Sequence, residues 1–211
     1  MKQKFTILLC IAFSIAAVCQ AQINEHNYAL GGNVNFYHSR TKFDSVPAGT
    51  VTSLSLTPSF VIFYKNNRAV GLGLTYEYEK DEHNNISGNG YGGSIFLRQY
   101  KPLGKGFYVF ANEELSFVAH TTKHFVSFDN YTYYKYYMFR VAANPGIAYD
   151  CSKKFQLELL FFNDLLSAYY LHNKVTSGAD KSTENIFSVT SNLDFSSVSS
   201  LNIGAKIFFG R

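Results

Sequence analysis

From residue 27 onward the chain alternates apolar and polar side chains with a period of two, and no stretch carries a convincing helical repeat. Successive side chains of a strand point to opposite faces, so sustained alternation describes strands with two chemically distinct sides. Eight such segments stand out. The first places Tyr28, Leu30, Gly32, Val34 and Phe36 opposite Ala29, Gly31, Asn33 and Asn35. The third places Val70, Leu72, Leu74, Tyr76 and Tyr78 opposite Gly71, Gly73, Thr75, Glu77 and Glu79. The last places Leu201, Ile203, Ala205, Ile207 and Phe209 opposite Asn202, Gly204, Lys206 and Phe208. The fifth is less regular, because Glu113 falls on the face of Val109, Ala111, Leu115 and Phe117. A bulge or a position near a membrane boundary would account for it.

The connections alternate in length. Residues 65–68, 101–106 and 150–154 are tight turns, whereas 39–50, 80–89, 120–132 and 170–190 read as longer polar loops. An even strand count with short turns on one side and long loops on the other predicts an all-β, eight-stranded antiparallel up-and-down transmembrane barrel. Two loosely similar units, PSFVIFYKNNRAVGLGL and PGIAYDCSKKFQLEL, become short-turn hairpins in this scheme. Proline lacks the ladder donor, which predicts a bulge or a missing ladder bond at Pro58 and Pro145.

Alternation does not say which face looks inward. A soluble lipocalin-like ligand carrier also has eight strands, with its apolar side inside. Here the polar face is rich in Gly, Ser and Thr, which suit a narrow interior filled by side chains. The apolar faces end in Tyr64, Tyr78, Tyr91, Phe107, Tyr149 and Phe209, as interfacial girdles do. Aromatics make up 17% of the 211 residues with no Trp, and charged residues only 16%. A net charge of +4 with no long basic run speaks against a nucleic-acid partner.

Residues 1–21 read as a signal peptide: Lys2 and Lys4 precede an apolar run from Phe5 to Val18, and Cys19-Gln20-Ala21 has the small-x-small form of a cleavage site. Residues 22–211 are then the barrel. Cys151 is the single cysteine after cleavage, which excludes a disulfide framework and a cysteine zinc site.

The segments TPSFVIFYKNNRAVGLGL, LRQYKPLGKGFYVFANEEL, NPGIAYDCSKKFQLEL and LNIGAKIFFGR, in this order, resemble the small outer-membrane β-barrel proteins of Gram-negative bacteria, with the architecture of the OmpA transmembrane domain and OmpX. The resemblance covers nearly the whole chain after residue 21. It implies an integral bacterial outer-membrane location, periplasmic termini, contact with outer-membrane lipid and lipopolysaccharide, delivery by the barrel-assembly machinery, and a monomer. Such barrels finish on an aromatic residue; here Gly210 and Arg211 follow Phe209.

The face assignment gathers Glu77, Glu79, Arg98, Glu114, Arg140, Glu158 and Lys206 in the lumen. Charges in a narrow, partly dry interior must pair. They form either a gated ion path or a plug, and an eight-stranded interior favours the plug. GNGYGG matches G-x-G-x-x-G through Gly88, Gly90 and Gly93, but a strand follows it where a dinucleotide site needs a helix. His38, His83, His120, His124 and His172 lie at or near the long-loop end. A barrel-embedded lipid-modifying enzyme would draw on His120 or His124 with Ser127 and Asp129, but no recognisable motif supports it. His120 and His124 are read in a loop, where a four-residue spacing does not converge on a metal. Tyr131, Tyr133, Tyr134, Tyr136 and Tyr137 form an extracellular aromatic cluster, either the outer girdle or a binding surface. The resulting expectation is a protein without enzymatic activity, cofactor or metal, serving membrane integrity, surface interaction or weak small-solute passage.

Overall fold

The computed structural model describes residues 22–43, 46–127, 130–160, 165–178, 180–191 and 202–209. The expected signal peptide, Asp129, Phe161, Leu201, Gly210 and Arg211 lie outside the described residues. Ten strands are present among them: β1 (Tyr28–Phe43), β2 (Val46–Lys65), β3 (Arg68–Asp81), β4 (Ile86–Gly104), β5 (Phe107–Ser127), β6 (Asn130–Asp150), β7 (Phe155–Leu160), β8 (Leu166–Ser177), β9 (Asp180–Ser191) and β10 (Asn202–Phe209). β1 to β7 pair in chain order, β7 pairs with β10, and β10 pairs with β1. Every pairing is antiparallel, so eight strands close a ring. β6 pairs with β7 from Gly146 to Asp150 and with β8 from Thr132 to Ala143. β9 adds to the outer edge of β8.

The register fixes the barrel's dimensions. From Leu56 the pairs run one way through Val34, Ile203, Leu159 and Ile147 to Val109. The other way they run through Tyr76 and Tyr91 to Ala119. One circuit therefore advances ten residues along β5, from Val109 to Ala119. With a rise of ~3.3 Å per residue and strands ~4.8 Å apart, that stagger tilts the strands by about 40°. Each residue then climbs about 2.5 Å along the axis.

Polarity is inverted relative to a soluble barrel. Leu74 is 70% exposed and Phe36 65%, while Lys206 is 2% and Arg98 3% exposed. Among the described residues, the apolar faces read from the alternation point outward. Phe107 and Phe117 begin and end the outward apolar run of β5, and their ten-residue separation spans about 25 Å, the height of a lipid-facing band. Tyr28, Tyr64, Tyr149 and Phe209 stand at the lower rim, and Tyr91, Phe117 and Phe139 at the upper.

Several expected loops are strand. Residues 170–190 fall in the β8–β9 hairpin, residues 120–132 extend β5 and β6, and residues 80–89 shrink to a turn between Asp81 and Ile86. Above the lipid band both faces of a hairpin meet water, so the apolar half of the alternation disappears although the ladder continues. Two of the short turns occur as read, at Lys65–Arg68 and Asp150–Phe155; the third is tighter than 101–106, because β4 continues to Gly104 and only Lys105 and Gly106 turn before Phe107.

The prolines interrupt pairing without shifting it. Leu56↔Tyr76 and Ser59↔Gly73 flank an unpaired step at Thr57 and Pro58, in one continuous register. Pro145 sits where β6 exchanges β7 for β8 as its neighbour. Glu113 needs neither explanation offered by the sequence. Leu97↔Glu113 and Glu113↔Ala143 belong to unbroken ladders, and the exposed carboxylate stands about 15 Å above Phe107, in the middle of the band.

Candidate functional site: the lumen

The short-turn end of the lumen is closed by packing. Ile23, Val61, Phe63, Phe96, Tyr100, Tyr108, Phe110 and Phe208 are buried in one cluster. Tyr100 lies at its centre, with ring centroids 5.8 Å from Phe63, 6.0 Å from Tyr108 and 5.5 Å from Phe110. The segment before β1 folds beneath this layer. Ile23 N–H donates to Asn67 Oδ1 at 2.9 Å, Asn67 N–H donates back to the Ile23 carbonyl at 2.9 Å, and His26 N–H donates to the Phe63 carbonyl at 2.8 Å. Asn67, with φ 60°, supplies both contacts from the β2–β3 turn, a left-handed position that asparagine tolerates. Ile23 is thereby fully buried.

Against this layer lies a buried ionic cluster. Glu158 on β7 receives Arg98 Nη1 on one oxygen at 2.6 Å and Lys206 Nζ on the other at 2.6 Å. The Tyr100 hydroxyl donates to Glu158 Oε1 at 2.9 Å and accepts from Lys206 at 2.7 Å. The Arg98 guanidinium lies 4.6 Å from the Phe110 ring centroid and 5.0 Å from that of Phe96. One anion thus serves two cations, with aromatic faces and a phenol completing their solvation.

The network continues toward the extended end. Arg98 Nε donates to Asn112 Oδ1 at 2.9 Å, Asn112 Nδ2 donates to Glu114 Oε2 at 3.2 Å, and Arg140 Nη2 pairs with Glu114 Oε1 at 3.5 Å. Beyond the buried cluster a cavity of about 330 Å³ is lined by Asn33, Asn112, Asn202, Glu77, Glu114 and Arg140, among others. Of the seven lumen charges expected from the sequence, Arg98, Glu158, Lys206, Glu114 and Arg140 join one chain of contacts. Glu77 lines the cavity and Glu79 is exposed above it, and neither makes an ion pair among the described residues. Asn112 and Tyr100 are partners that charge-based reading missed; both sit on the inward parity of their strands.

The G-x-G-x-x-G match also acquires a structural role. Gly88 and Gly90 belong to β4, not to a loop, and point inward. A Cβ at Gly90 would lie 2.6 Å from His120 Cδ2, and one at Gly88 would lie 2.8 Å from His120 Cε1. These glycines seat the buried His120 ring, which stacks on Tyr136 at 4.8 Å and shares a 3.1 Å hydrogen bond with Thr122. His120 and His124 lie on the strand β5 and share its inner face, about 13 Å apart by strand rise, so they do not converge. No group of three or more metal-ligating side chains occurs among the described residues. His38 and His172 bond instead to Thr52 and Asn185.

The five tyrosines divide by the pleat. Tyr133 and Tyr137 are exposed on the outer face with Tyr131, and Tyr134 and Tyr136 alternate inward. Tyr131 carries the Lys123 ammonium over its ring at 3.6 Å. At the β3–β4 tip, Asp81 accepts from the Asn84 side chain at 2.7 Å and from the backbone N–H groups of His83 and Asn84 at 2.9 and 3.1 Å. The Asn84 side-chain hydrogen bond, with the two backbone bonds and His83 nearby, holds this carboxyl below the usual carboxylate range.

A closed antiparallel ring with a lipid-facing apolar band and a charged interior defines a transmembrane β-barrel of the outer-membrane kind. No protein-family model and no curated protein matches the chain. Among solved structures it is similar to a major outer membrane protein from Thermus thermophilus, at 10% identity and TM-score 0.49, covering 86% of this chain and 99% of that one. It is similar to Neisserial surface protein A (NspA), at 11% identity and TM-score 0.40, covering 90% and 100%. The translocator domain of the autotransporter NalP from Neisseria meningitidis gives 8% identity and TM-score 0.41, covering 98% and 95%.

Proposed function

We propose that this chain is a non-enzymatic, integral protein of the bacterial outer membrane whose lumen is plugged, and that it acts through membrane integrity and surface interaction rather than solute passage. The short-turn end and both termini face the periplasm, and the extended hairpins rise into the exterior. The observation carrying this reading is the floor: Glu158 held by Arg98 and Lys206 at 2.6 Å each, directly against the packed aromatic layer that includes Ile23. A path for solute would have to separate an ion cluster from which water is excluded, at a cost of several kcal/mol per uncompensated charge.

Planar-bilayer recording of the refolded protein tests it. Wild type is expected to be electrically silent, while Arg98→Ala/Glu158→Ala, if it keeps the heat-modifiable migration of a closed barrel, is expected to leak ions. Steady conductance by wild type at neutral pH would overturn the plugged reading.

A further inference from the structure

Above the upper aromatic rim the barrel wall sorts charge by sign. Glu77 and Glu79 of β3 and Glu184 of β9 take the inner parity of their strands. The outer parity carries Arg40 of β1, Lys80 of β3, Lys123 of β5, Lys135 of β6, Lys174 of β8 and Lys181 of β9. No carboxylate occupies an outward strand position there among the described residues, and Glu82 in the β3–β4 turn is taken by Lys80 at 2.8 Å. Three of these cations gather on adjacent strands. Lys135 and Lys174 are direct partners in the β6–β8 ladder, both exposed, and neither makes an ion pair with any described residue. Lys123 is the diagonal neighbour of Lys135, with its ammonium 3.6 Å from the Tyr131 ring centroid. By strand rise and tilt the three lie within about 3 Å of one height. Like charges directly opposite on one face are destabilising, and an anion between them removes the cost.

The level of the patch identifies the anion. One outward step below it, about 5 Å lower, Tyr137 and His172 stack with ring centroids 6.3 Å apart. Phe139 and Tyr170 form the next pair down. Amphipathic rings of this kind sit at the level of lipid headgroups, so the lysines face the outer part of that layer. We infer that Lys123, Lys135 and Lys174 hold the phosphate groups of an anionic lipid headgroup in the outer leaflet. A phosphate offers several acceptor oxygens and forms strong charge-assisted bonds with ammonium donors. The inference rests on the outer-membrane placement proposed above and adds the lipid chemistry and the residues that engage it.

The test is urea unfolding of the refolded barrel in phosphatidylcholine vesicles, with and without bisphosphorylated lipid A. Lipid A is expected to raise the folded-to-unfolded ratio of wild type at least about tenfold, and that of Lys135→Gln/Lys174→Gln less than about twofold. In phosphatidylcholine alone the double variant should be at least as stable as wild type, because its like-charge pair is gone. Lys80→Gln, which touches a cation already paired, should keep the full gain. An equal gain in the double variant, or the same gain from lipid A stripped of its phosphates or from inorganic phosphate at matched concentration, would overturn the phosphate site. Orientation is read separately, by labelling Lys181→Cys in a Cys151→Ser background on intact cells with a membrane-impermeant maleimide. Labelling is expected, and its absence would overturn the outer-leaflet placement whatever the vesicles show.

Discussion

Glu158 and Lys206 meet at 2.6 Å between β7 and β10, the last ladder before the ring closes onto β1. The contact is diagonal, since Glu158 is paired with Gly204 and Lys206 with Gln156. Gly204, opposite Glu158 in the ladder, presents no side chain there, so the Lys206 chain meets the carboxylate from the next inward position. Closure of the barrel and closure of its floor therefore depend on the same two strands.

The ion cluster is asymmetric, and the asymmetry is measurable. Glu158→Gln leaves Arg98 and Lys206 buried together without an anion, and is expected to lower unfolding free energy by about 3–5 kcal/mol. Lys206→Met leaves the neutral Arg98–Glu158 pair intact in an apolar setting and is expected to change stability by less than about 1.5 kcal/mol in either direction. Urea unfolding in lipid vesicles, followed by the loss of heat-modifiable migration, separates the two. Equal losses would mean that Glu158 does not serve both cations.

Ile23 is the second closure. It is fully buried in the cluster that holds Phe63 and is tied to Asn67 by two hydrogen bonds, its N–H donating to the side-chain Oδ1 and its carbonyl accepting from the backbone N–H. Ile23→Ala is expected to cost about 2–4 kcal/mol, the range for truncating a buried aliphatic side chain. Asn67→Ala removes the Oδ1 acceptor and the residue suited to φ 60°, and should loosen the same segment, read as faster hydrogen exchange at the amides of Ile23 and His26.

The strands of the membrane band were legible because lipid on one side and a polar lumen on the other impose a strict two-residue period. That period sorted Arg98, Glu158 and Lys206 to one interior before any contact was known. It did not sort the upper parts of β8 and β9, where water bathes both faces and either parity accepts Asn, Ser, Thr or Lys; lower down, Leu166, Tyr170, Phe187 and Val189 keep an outward apolar face. Ile23 was invisible for a different reason: it lies outside every strand, and its burial follows from the Asn66–Asn67 turn reaching back to it. The five tyrosines looked like one cluster because adjacency in sequence is not adjacency across a pleat.

His120 owes its position to missing side chains. Gly90→Val drives a branched side chain into the ring and toward Glu77 Oε2, which lies 3.0 Å from the position of the first added carbon. The expected cost is about 1–3 kcal/mol from overpacking. Adding His120→Ala should recover at least half of it, and a double-mutant cycle on chemical unfolding measures the coupling. Strict additivity would show that the glycines do not seat the ring.

Acid should loosen one external tip before the barrel itself responds. Asp81 is held below the ordinary carboxylate value, about 4, chiefly by the hydrogen bond from the Asn84 side chain. A depressed folded value means that the carboxylate's contribution is complete above the unfolded value and disappears as pH falls through the depressed one. Hydrogen exchange at the amides of His83 and Asn84, compared at pH 5.5 and at about pH 2.5 after correction for intrinsic rates, should show lost protection only at the lower pH. Asp81→Ala should abolish the difference by removing the protection at both values.

A lipid-modifying activity makes a separate prediction, because it would require a histidine with a nucleophile or second base in reach. His120 has the Thr122 hydroxyl at 3.1 Å, but the ring is buried and stacked on Tyr136 inside the lumen, and His124 lies about 13 Å farther along the same face. An acyl chain approaching from the bilayer would meet the outer face of β5, where Phe117, Ala119 and Thr121 stand, and would have to pass the wall to reach either ring. Replacing both histidines with alanine should therefore leave the lipid A mass spectrum of the producing strain unchanged, while a loss of one acyl or headgroup species in that variant alone would establish an enzyme.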